Sequence, residues 1–549
     1  MATTSRGADL LVKTLAAAGT RYVFALSGNQ IMPIFDACIG SGIELVHVRH
    51  EAATVHMADG WGRLTGEPGV ALVTAGPGLA NAVSAVYVAT MSESPLVFLS
   101  GHAPLGQLGR GAFQEMAQAD IVGHVAKASW MVENASDLGH DLARALRTAR
   151  SGRPGPVHLS LPVNLLNAEV VDVGEYLPKG ADFKAPLNRL ETAAVGHILD
   201  ALAKAKKPLI LAGPAAMRGA ERDALTSMEE AAGVPVLFME SPRGTNDPSL
   251  GAVAEVLAEA DLVLLLGKKL DFTVGFGDSP TVGPDCRFIQ IDPDAEVLEQ
   301  TSRTVGDSSR LLFTAVADTL PAAAELANSA GQMSWPDQGW FEEVRGAVSY
   351  RTPGWSELRS STNDRLHAAE IGMAVQHFLD GGDEAVFVSD GGEFGQWAQA
   401  CVSTPNRLIN GPGGSIGTAL PLALAARLAY PDARVVAMLG DGTFGFHAME
   451  FDTAVRNRVP FVAVVGNDAA WNAEYQIQLR NYGPDRLVGC ELLPTRYDEM
   501  VKALGGYGEL VTSAAKLPAA LERAHASGLP ACVNVALERN AAPTFRRKR

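Results

Sequence analysis

Cysteine, net positive charge and long apolar runs are what this sequence has least of. Its five cysteines, Cys38, Cys286, Cys401, Cys490 and Cys532, are scattered, and none falls in a Cys-x-x-Cys pair. That spacing argues against a disulfide framework or a zinc site and fits a reducing cytoplasm. Lys and Arg total 45 against 61 Asp and Glu, giving a formal charge of −16. A balance of this sign does not suit a general nucleic-acid binder and gives no attraction to an anionic membrane surface. No run of ~18 uncharged apolar residues occurs, so no membrane-spanning helix is expected. Near the start, residues 8–19 are apolar but broken by Asp9 and Lys13, which reads as an amphipathic helix ended by Gly19 and not as a signal peptide.

What is present is a large apolar fraction, 47%, with 19% charged residues. At 549 residues the chain has room for roughly three domains of ~150 residues. Three blocks alternate strand-like and helical patterns, which predicts an α/β protein of three doubly wound parallel-sheet domains. The first covers 1–168, with strands expected at Tyr22–Leu26, Leu45–Val48, Val70–Thr74, Leu96–Ser100 and Val157–Leu161. The second covers 190–325, with strands at Pro208–Ala212, Val234–Phe238, Asp261–Gly267 and Arg287–Asp292. The third covers 365–540, with strands at Ala385–Ser389, Arg434–Leu439, Phe461–Val465 and Cys532–Val535. Residues 167–188 read as a linker and 327–362 as a long connection. The tail 541–549 ends in Arg546-Arg-Lys-Arg and reads as a frayed terminus or as an arm that meets an anionic substrate.

Two acids carry the first chemical signal. Asp441 stands in Leu439-Gly-Asp-Gly-Thr443 and Asp468 in Val464-Val-Gly-Asn-Asp-Ala-Ala470, each after an apolar stretch that reads as a buried parallel strand. A Gly-Asp-Gly turn opening a helix suits a diphosphate: the glycines let the backbone approach, the helix N-terminus favours negative charge, and the carboxylate can hold a divalent ion.

This pair resembles the Gly-Asp-Gly…Asn-Asn signature of thiamine-diphosphate enzymes. Four further segments carry the resemblance over nearly the whole chain: Val48-Arg-His-Glu-Ala-Ala-Thr-Val-His-Met-Ala-Asp-Gly-Trp-Gly-Arg63, Thr74-Ala-Gly-Pro-Gly-Leu-Ala-Asn81, Gly111-Ala-Phe-Gln-Glu115 and Gly413-Gly-Ser-Ile-Gly-Thr-Ala-Leu-Pro421. The resemblance implies a pyrimidine-binding first domain and a diphosphate-binding third domain. It gives Glu51 the role of activating the cofactor's pyrimidine ring, for which a carboxyl needs an apolar pocket and a raised pKa. It implies Asp441, Asp468 and the Ala470 carbonyl as magnesium ligands, Gly440, Gly442 and Thr443 around the diphosphate, and Ser415 and Ile416 in the turn that bends the cofactor. Thr74, Gly78 and Asn81 would face it from the first domain, and Glu393-Phe394-Gly-Gln396 from the partner side. One departure stands out: Asp468 replaces the family's usual Asn, still a hard oxygen ligand. Homodimers or homotetramers with shared sites are implied too.

For the reaction, Phe113-Gln114-Glu115 resembles both acetolactate synthases and 2-hydroxyacyl-CoA lyases. The stretch Leu266-Gly-Lys-Lys-Leu-Asp-Phe-Thr-Val-Gly-Phe-Gly277 is similar to one that oxalyl-CoA decarboxylases and these lyases share. The segment after Asp468, starting at Trp471, lacks the synthases' pattern. The expectation is a lyase that cleaves 2-hydroxyacyl-CoA to formyl-CoA and an aldehyde or ketone, with Gln114 orienting the oxygen and Glu491 as base. Acetolactate synthase-like or oxalyl-CoA decarboxylase-like chemistry is the alternative, and a non-catalytic thiamine-diphosphate-binding subunit stays open. Arg218, Lys268 and Asp292 are candidates to hold ADP or CoA in the middle domain, and Arg546 and Arg547 to cover CoA phosphates.

Overall fold

The computed structural model describes residues 4–336 and 339–547. The chain forms two compact units. The first holds residues up to Pro186 together with Leu420–Pro431 and His447–Val459, and the second holds the remainder.

The first unit is built on a six-stranded parallel sheet: β1 Tyr22–Ala25, β2 Glu44–His47, β3 Gly69–Val73, β4 Leu96–His102, β5 Ala128–Met131 and β6 Pro156–Pro162, in the order β2-β1-β3-β4-β6-β5. β3, β4 and β6 are buried along their whole length, the pattern of parallel strands covered on both faces. The second unit holds two sheets. A five-stranded sheet runs β8-β7-β9-β10-β11, with β7 Pro208–Ala212, β8 Val236–Phe238, β9 Leu262–Leu266, β10 Arg287–Asp292 and β11 Leu311–Val316. A six-stranded sheet runs β13-β12-β14-β15-β17-β16, with β12 Ala385–Ser389, β13 Asn406–Ile409, β14 Arg434–Gly440, β15 Val462–Asn467, β16 Tyr507–Val511 and β17 Ala531–Ala536. All three sheets are parallel, as expected. The two six-stranded sheets have the same strand order, a likeness too loose to read as a repeat in the sequence.

Four strands escaped the sequence reading: β5, β11, β13 and β16. Each lies at a sheet edge and is only partly buried, with β11 alternating between partly buried and exposed residues. Such strands lack the continuous apolar run that marks a central one. The stretch read as a linker is also structured. Glu169–Val171 pairs antiparallel with Thr4–Arg6. Within the long connection, Trp340–Ser349 is a helix whose Trp340 is buried and donates its indole N–H to the Pro208 carbonyl at 2.9 Å.

One close approach positions the first unit's chemistry. The helix Glu51–Thr65 begins after His50, whose Nδ1 accepts the Ala52 N–H at 3.1 Å, and ends at Gly66 with φ 74°. It lies against β3 because Gly69 has no side chain: a Cβ there would stand 2.1 Å from the Ala58 carbonyl oxygen. Gly69→Ala is therefore expected to lower stability by about 1–3 kcal/mol by forcing the helix off the sheet. Gly106→Ala, where a Cβ meets nothing within 4 Å, should stay within about 0.5 kcal/mol of the parent. Denaturant unfolding followed by circular dichroism separates the two, and equal losses would contradict this packing.

Candidate active site

In the second unit, the cofactor-type residues gather around one cavity of about 330 Å³, within the usual ~300–1,000 Å³ of ligand pockets. Gly440 ends β14, and Asp441 opens the helix Asp441–His447. Asn467 ends the adjacent strand β15, with Asp468 next. Asp441, Asp468, Gly440, Gly442, Thr443, Ala470 and Ile416 all line the cavity. Glu393, Phe394 and Gln396 line it too. They were expected on the partner side, and the structure brings them to the same unit's cavity. Ser415 is not among the lining residues; its carbonyl accepts from Asn410 Nδ2 at 3.1 Å. Trp471 forms one wall against Gly442, where a Cβ would be 2.8 Å from the indole ring.

The two acids are the electrostatic centre. Asp441 and Asp468 are both nearly sealed, at 2% and 4% exposure. Burial pushes Asp441 up to about 6, offset in part by nearby backbone N–H groups. Burial and then the Asp441 charge push Asp468 up to about 8. Asp441 Oδ2 has no hydrogen-bond partner among the described residues. Two buried carboxyls in mutual repulsion, one with an orphan oxygen, form a donor set that fits a hard divalent cation. Arg539 steadies the turn behind them, Nε donating to the Asp468 carbonyl and Nη2 to that of Ala469, both at 3.0 Å.

Asp390, which sequence reasoning missed, shapes the opposite wall. It directly follows β12 and is fully buried. Oδ1 accepts the N–H groups of Gly391 at 2.8 Å and Gly417 at 3.0 Å, and Oδ2 that of Ala419 at 3.0 Å. These bonds pin the turn that presents Ile416, whose Cγ2 would be 2.9 Å from a Cβ on Gly391. Burial raises Asp390 to about 6, and the backbone donors oppose the shift. Ser389-Asp-Gly-Gly392 has no signature beyond a strand end, so only the fold could reveal the role.

The first unit assembles the other set. Glu51 is half-buried and its Oε2 accepts from Asn81 Nδ2 at 3.0 Å. Gly78 leaves room beside it, a Cβ there lying 3.8 Å from Glu51 Oε1. The apolar enclosure expected for Glu51 is thus incomplete within this chain. Thr74 Oγ1 donates to Gln30 Oε1 at 2.6 Å, and Gln30 Nε2 donates to Gln114 Oε1 at 3.0 Å. Gln30, unrecognised in the sequence, links Thr74 to Gln114, whose φ of 58° is uncommon for a residue with a side chain. Glu450, from the segment that joins this unit from far along the chain, accepts the Arg49 N–H at 3.1 Å. His447 packs edge-on to His50 and His56.

Elsewhere the structure gives the predicted residues other partners. Glu491 is on the surface, bridged to the metal-type loop through a backbone pairing with Ala470 and an ion pair to Arg539 at 3.3 Å. Arg218 is buried against Glu240 at 3.1 Å, and Lys268 against Asp271 at 3.0 Å. Asp292 is sealed and accepts the Asp294 N–H at 3.0 Å. All three are buried, Arg218 and Lys268 each beside a carboxylate and Asp292 on a backbone N–H. The tail departs from both expectations up to Arg547, since residues 548–549 lie outside the described residues. Trp397 Nε1 donates to the Ala541 carbonyl at 2.8 Å, the Ala542 N–H donates to Glu393, and Phe545 is buried. Arg547 pairs with Glu255 at 3.2 Å and Glu343 at 2.8 Å, whereas Arg546 is exposed.

Comparison with known proteins agrees with this geometry. Residues 5–121 match the N-terminal TPP binding domain of thiamine pyrophosphate enzymes, 195–313 their central domain and 390–535 their C-terminal TPP binding domain. The chain belongs to the thiamine pyrophosphate enzyme family. It is 36% identical to a probable acetolactate synthase of Mycobacterium bovis over 97% of this chain and 96% of the relative. The acetolactate synthase large subunit IlvG of Mycobacterium tuberculosis gives the same identity and coverage. It is 30% identical to human 2-hydroxyacyl-CoA lyase 2, over 93% of this chain and 86% of the relative. Among the described residues, no helix is long and apolar enough to cross a membrane.

Asp390→Ala removes the acceptor for three backbone N–H groups, two of them in the Ile416 turn. Leaving such donors unsatisfied costs ~1–3 kcal/mol each. The variant should lose thermal stability and bind thiamine diphosphate at least about tenfold more weakly, and Asp390→Asn, which keeps one carbonyl oxygen, should recover part of both. Calorimetric titration checks the second effect; unchanged affinity would separate Asp390 from the site.

Proposed function

We propose that this protein is a thiamine-diphosphate-dependent carbon–carbon lyase that cleaves 2-hydroxyacyl-CoA to formyl-CoA and an aldehyde or ketone. The observation that carries this reading is the placement of Glu491. Its backbone pairs with Ala470 and its side chain meets Arg539, which also holds the Asp468 and Ala469 carbonyls. A carboxylate tethered to the cofactor loop suits a base that must take the 2-hydroxyl proton as the C1–C2 bond breaks.

When bound, thiamine diphosphate supplies a carbon nucleophile and an electron sink. In this reading Glu51 holds the pyrimidine nitrogen, while Asp441, Asp468 and the Ala470 carbonyl hold Mg²⁺ against the diphosphate. Gly440, Gly442 and Thr443 receive the phosphates at the helix start, and Ile416 supports the cofactor's bent shape. Glu393 and Gln396 close the same cavity, and Gln114, fixed by Gln30, orients the substrate oxygen. Thr74, Gly78 and Asn81 support Glu51. Assembly as a homodimer or homotetramer that completes the enclosure of Glu51, and a cytoplasmic location, belong to the same proposal.

A second reading is acetolactate synthase-like chemistry, favoured by the higher identity to the mycobacterial relatives, 36% against 30%. Purified protein with thiamine diphosphate and Mg²⁺ decides between them. With 2-hydroxyisobutyryl-CoA or mandelyl-CoA, the expected products are formyl-CoA and acetone or benzaldehyde. Glu491→Gln should lower kcat by about 10²–10⁴ without changing cofactor affinity, and Glu51→Gln should lose turnover. Acetolactate from pyruvate with no formyl-CoA from either thioester would overturn the lyase reading.

A further inference from the structure

Two hydroxyls stand side by side in the middle of the first unit's sheet. Ser100 on β4 and Ser160 on β6 are register partners, and both are fully buried. Polar groups sealed in this way need partners, and Gln118 supplies one. It opens the short helix Gln118–Gly123 and is 1% exposed. Its Nε2 donates towards Ser100 Oγ at 2.8 Å, the Gly101 carbonyl at 2.9 Å and Ser160 Oγ at 3.1 Å. Behind Ser100 the network runs to His158, whose Nε2 lies 2.8 Å from Ser100 Oγ and whose Nδ1 lies 2.8 Å from Ser129 Oγ. Burial pulls His158 down to about 3, so its ring is neutral near neutral pH.

The other end of Gln118 leaves the sheet. Its Oε1 accepts the Gly76 N–H at 2.7 Å. Gly76 is buried in the turn after β3, with φ 57° and ψ −112°, a conformation open to glycine and not to residues with a side chain. A Cβ there would lie 2.9 Å from the Gln114 carbonyl oxygen and 3.0 Å from the Gln114 Cβ. Gly76 therefore meets two groups at once: Gln118 holds its N–H, and its Cα packs on Gln114. Gln114 is held a second time by Gln30, which also takes the Thr74 hydroxyl. The chain around Gln114 is braced too. Glu115 Oε2 accepts the Ala112 N–H at 3.0 Å, and the His102 ring meets the Met116 carbonyl at 3.0 Å.

We infer that Gln118 is a positioning residue that fixes Gln114 and the turn 74–78 as one piece. An amide that only braced the sheet would spend both ends on strands. This one spends its acceptor on the turn that carries Thr74 and Gly78. The buried sheet is the rigid base, and Gln118 passes its position through Gly76 to Gln114. The inference rests on the role proposed above for Gln114, the orientation of the substrate oxygen.

Three substitutions in the full chain, loaded with thiamine diphosphate and Mg²⁺, test it on whichever of 2-hydroxyisobutyryl-CoA and pyruvate the wild-type protein turns over. Gln118→Met keeps the length of the side chain but offers Gly76 no oxygen. Its kcat should fall about 10–100-fold, the cost of misplacing an orienting group, with KM and thiamine diphosphate affinity nearly unchanged. Gln118→Glu returns an oxygen to the Gly76 N–H and should recover most of that kcat. Ser129→Ala cuts the network at its far end and should lower the thermal midpoint while kcat stays at the wild-type value. Hydrogen–deuterium exchange over residues 70–82 supplies a readout apart from turnover: it should quicken in Gln118→Met and stay near the wild-type rate in Gln118→Glu. Formyl-CoA made at the wild-type rate by Gln118→Met would overturn this inference and leave the lyase reading standing. Acetolactate made only slowly by the same variant would remove the lyase reading and leave this inference standing. A Gln118→Glu variant as slow as Gln118→Met, or an equal kcat loss in Ser129→Ala, would assign Gln118 to the core alone and overturn it. A wild-type protein that turns over neither substrate would overturn both.

Discussion

Two buried carboxyl groups that repel each other are the constraint around which the larger unit is organised. Three neighbouring strands of its six-stranded sheet, β12, β14 and β15, are each followed at once by an aspartate. The fates of the three differ. Asp390 spends its oxygens on backbone N–H groups and so becomes part of the scaffold. Asp441 raises the proton affinity of Asp468, and one of its own oxygens has no partner among the described residues. Parallel strands with their carboxyl ends together make this crowding possible, and a bound cation relieves it. The glycines, Trp471 and Arg539 then define the space around the pair.

The first unit answers with a different economy of charge. Its sheet has the same strand order, yet Leu26, Val48, Thr74, Ala103, Val132 and Val163 follow its strands instead of acids, and Glu51 sits at a helix start beside Asn81. A neutral hydrogen-bonded line from Thr74 through Gln30 to Gln114 leads away from it. The buried acid pair and Glu51 thus belong to separate sheets of one topology, and two segments distant in sequence, 420–431 and 447–459, are built into the first unit.

Much of this was legible in the residues because strong local signals coincide with buried strands. β9, β14 and β15 are apolar runs closed by glycine or acid, so both the sheet class and the Asp441–Asp468 pair could be read directly. The rest depended on partners chosen by folding. The partly buried edge strands β5, β11, β13 and β16 have no uninterrupted buried pattern. Asp390, Gln30 and Arg539 act through contacts with residues remote in sequence, and nothing beside them announces those partners. Lys268 and Arg218 looked like phosphate ligands because a cation in a loop carries no mark of the internal carboxylate that will claim it. The tail looked free because the glutamates that receive Arg547 lie about 200–300 residues earlier, farther than any local pattern reaches.

The central claim is that the Asp441–Asp468 pair holds a divalent ion against a diphosphate. Calorimetric titration of thiamine diphosphate into metal-free protein, repeated with Mg²⁺ and with Mg²⁺ on Asp441→Asn, tests it most directly. The account predicts tight binding only in the wild-type protein with Mg²⁺. Equal affinity with and without the metal, or an Asp441→Asn variant that binds as tightly as wild type, would contradict it.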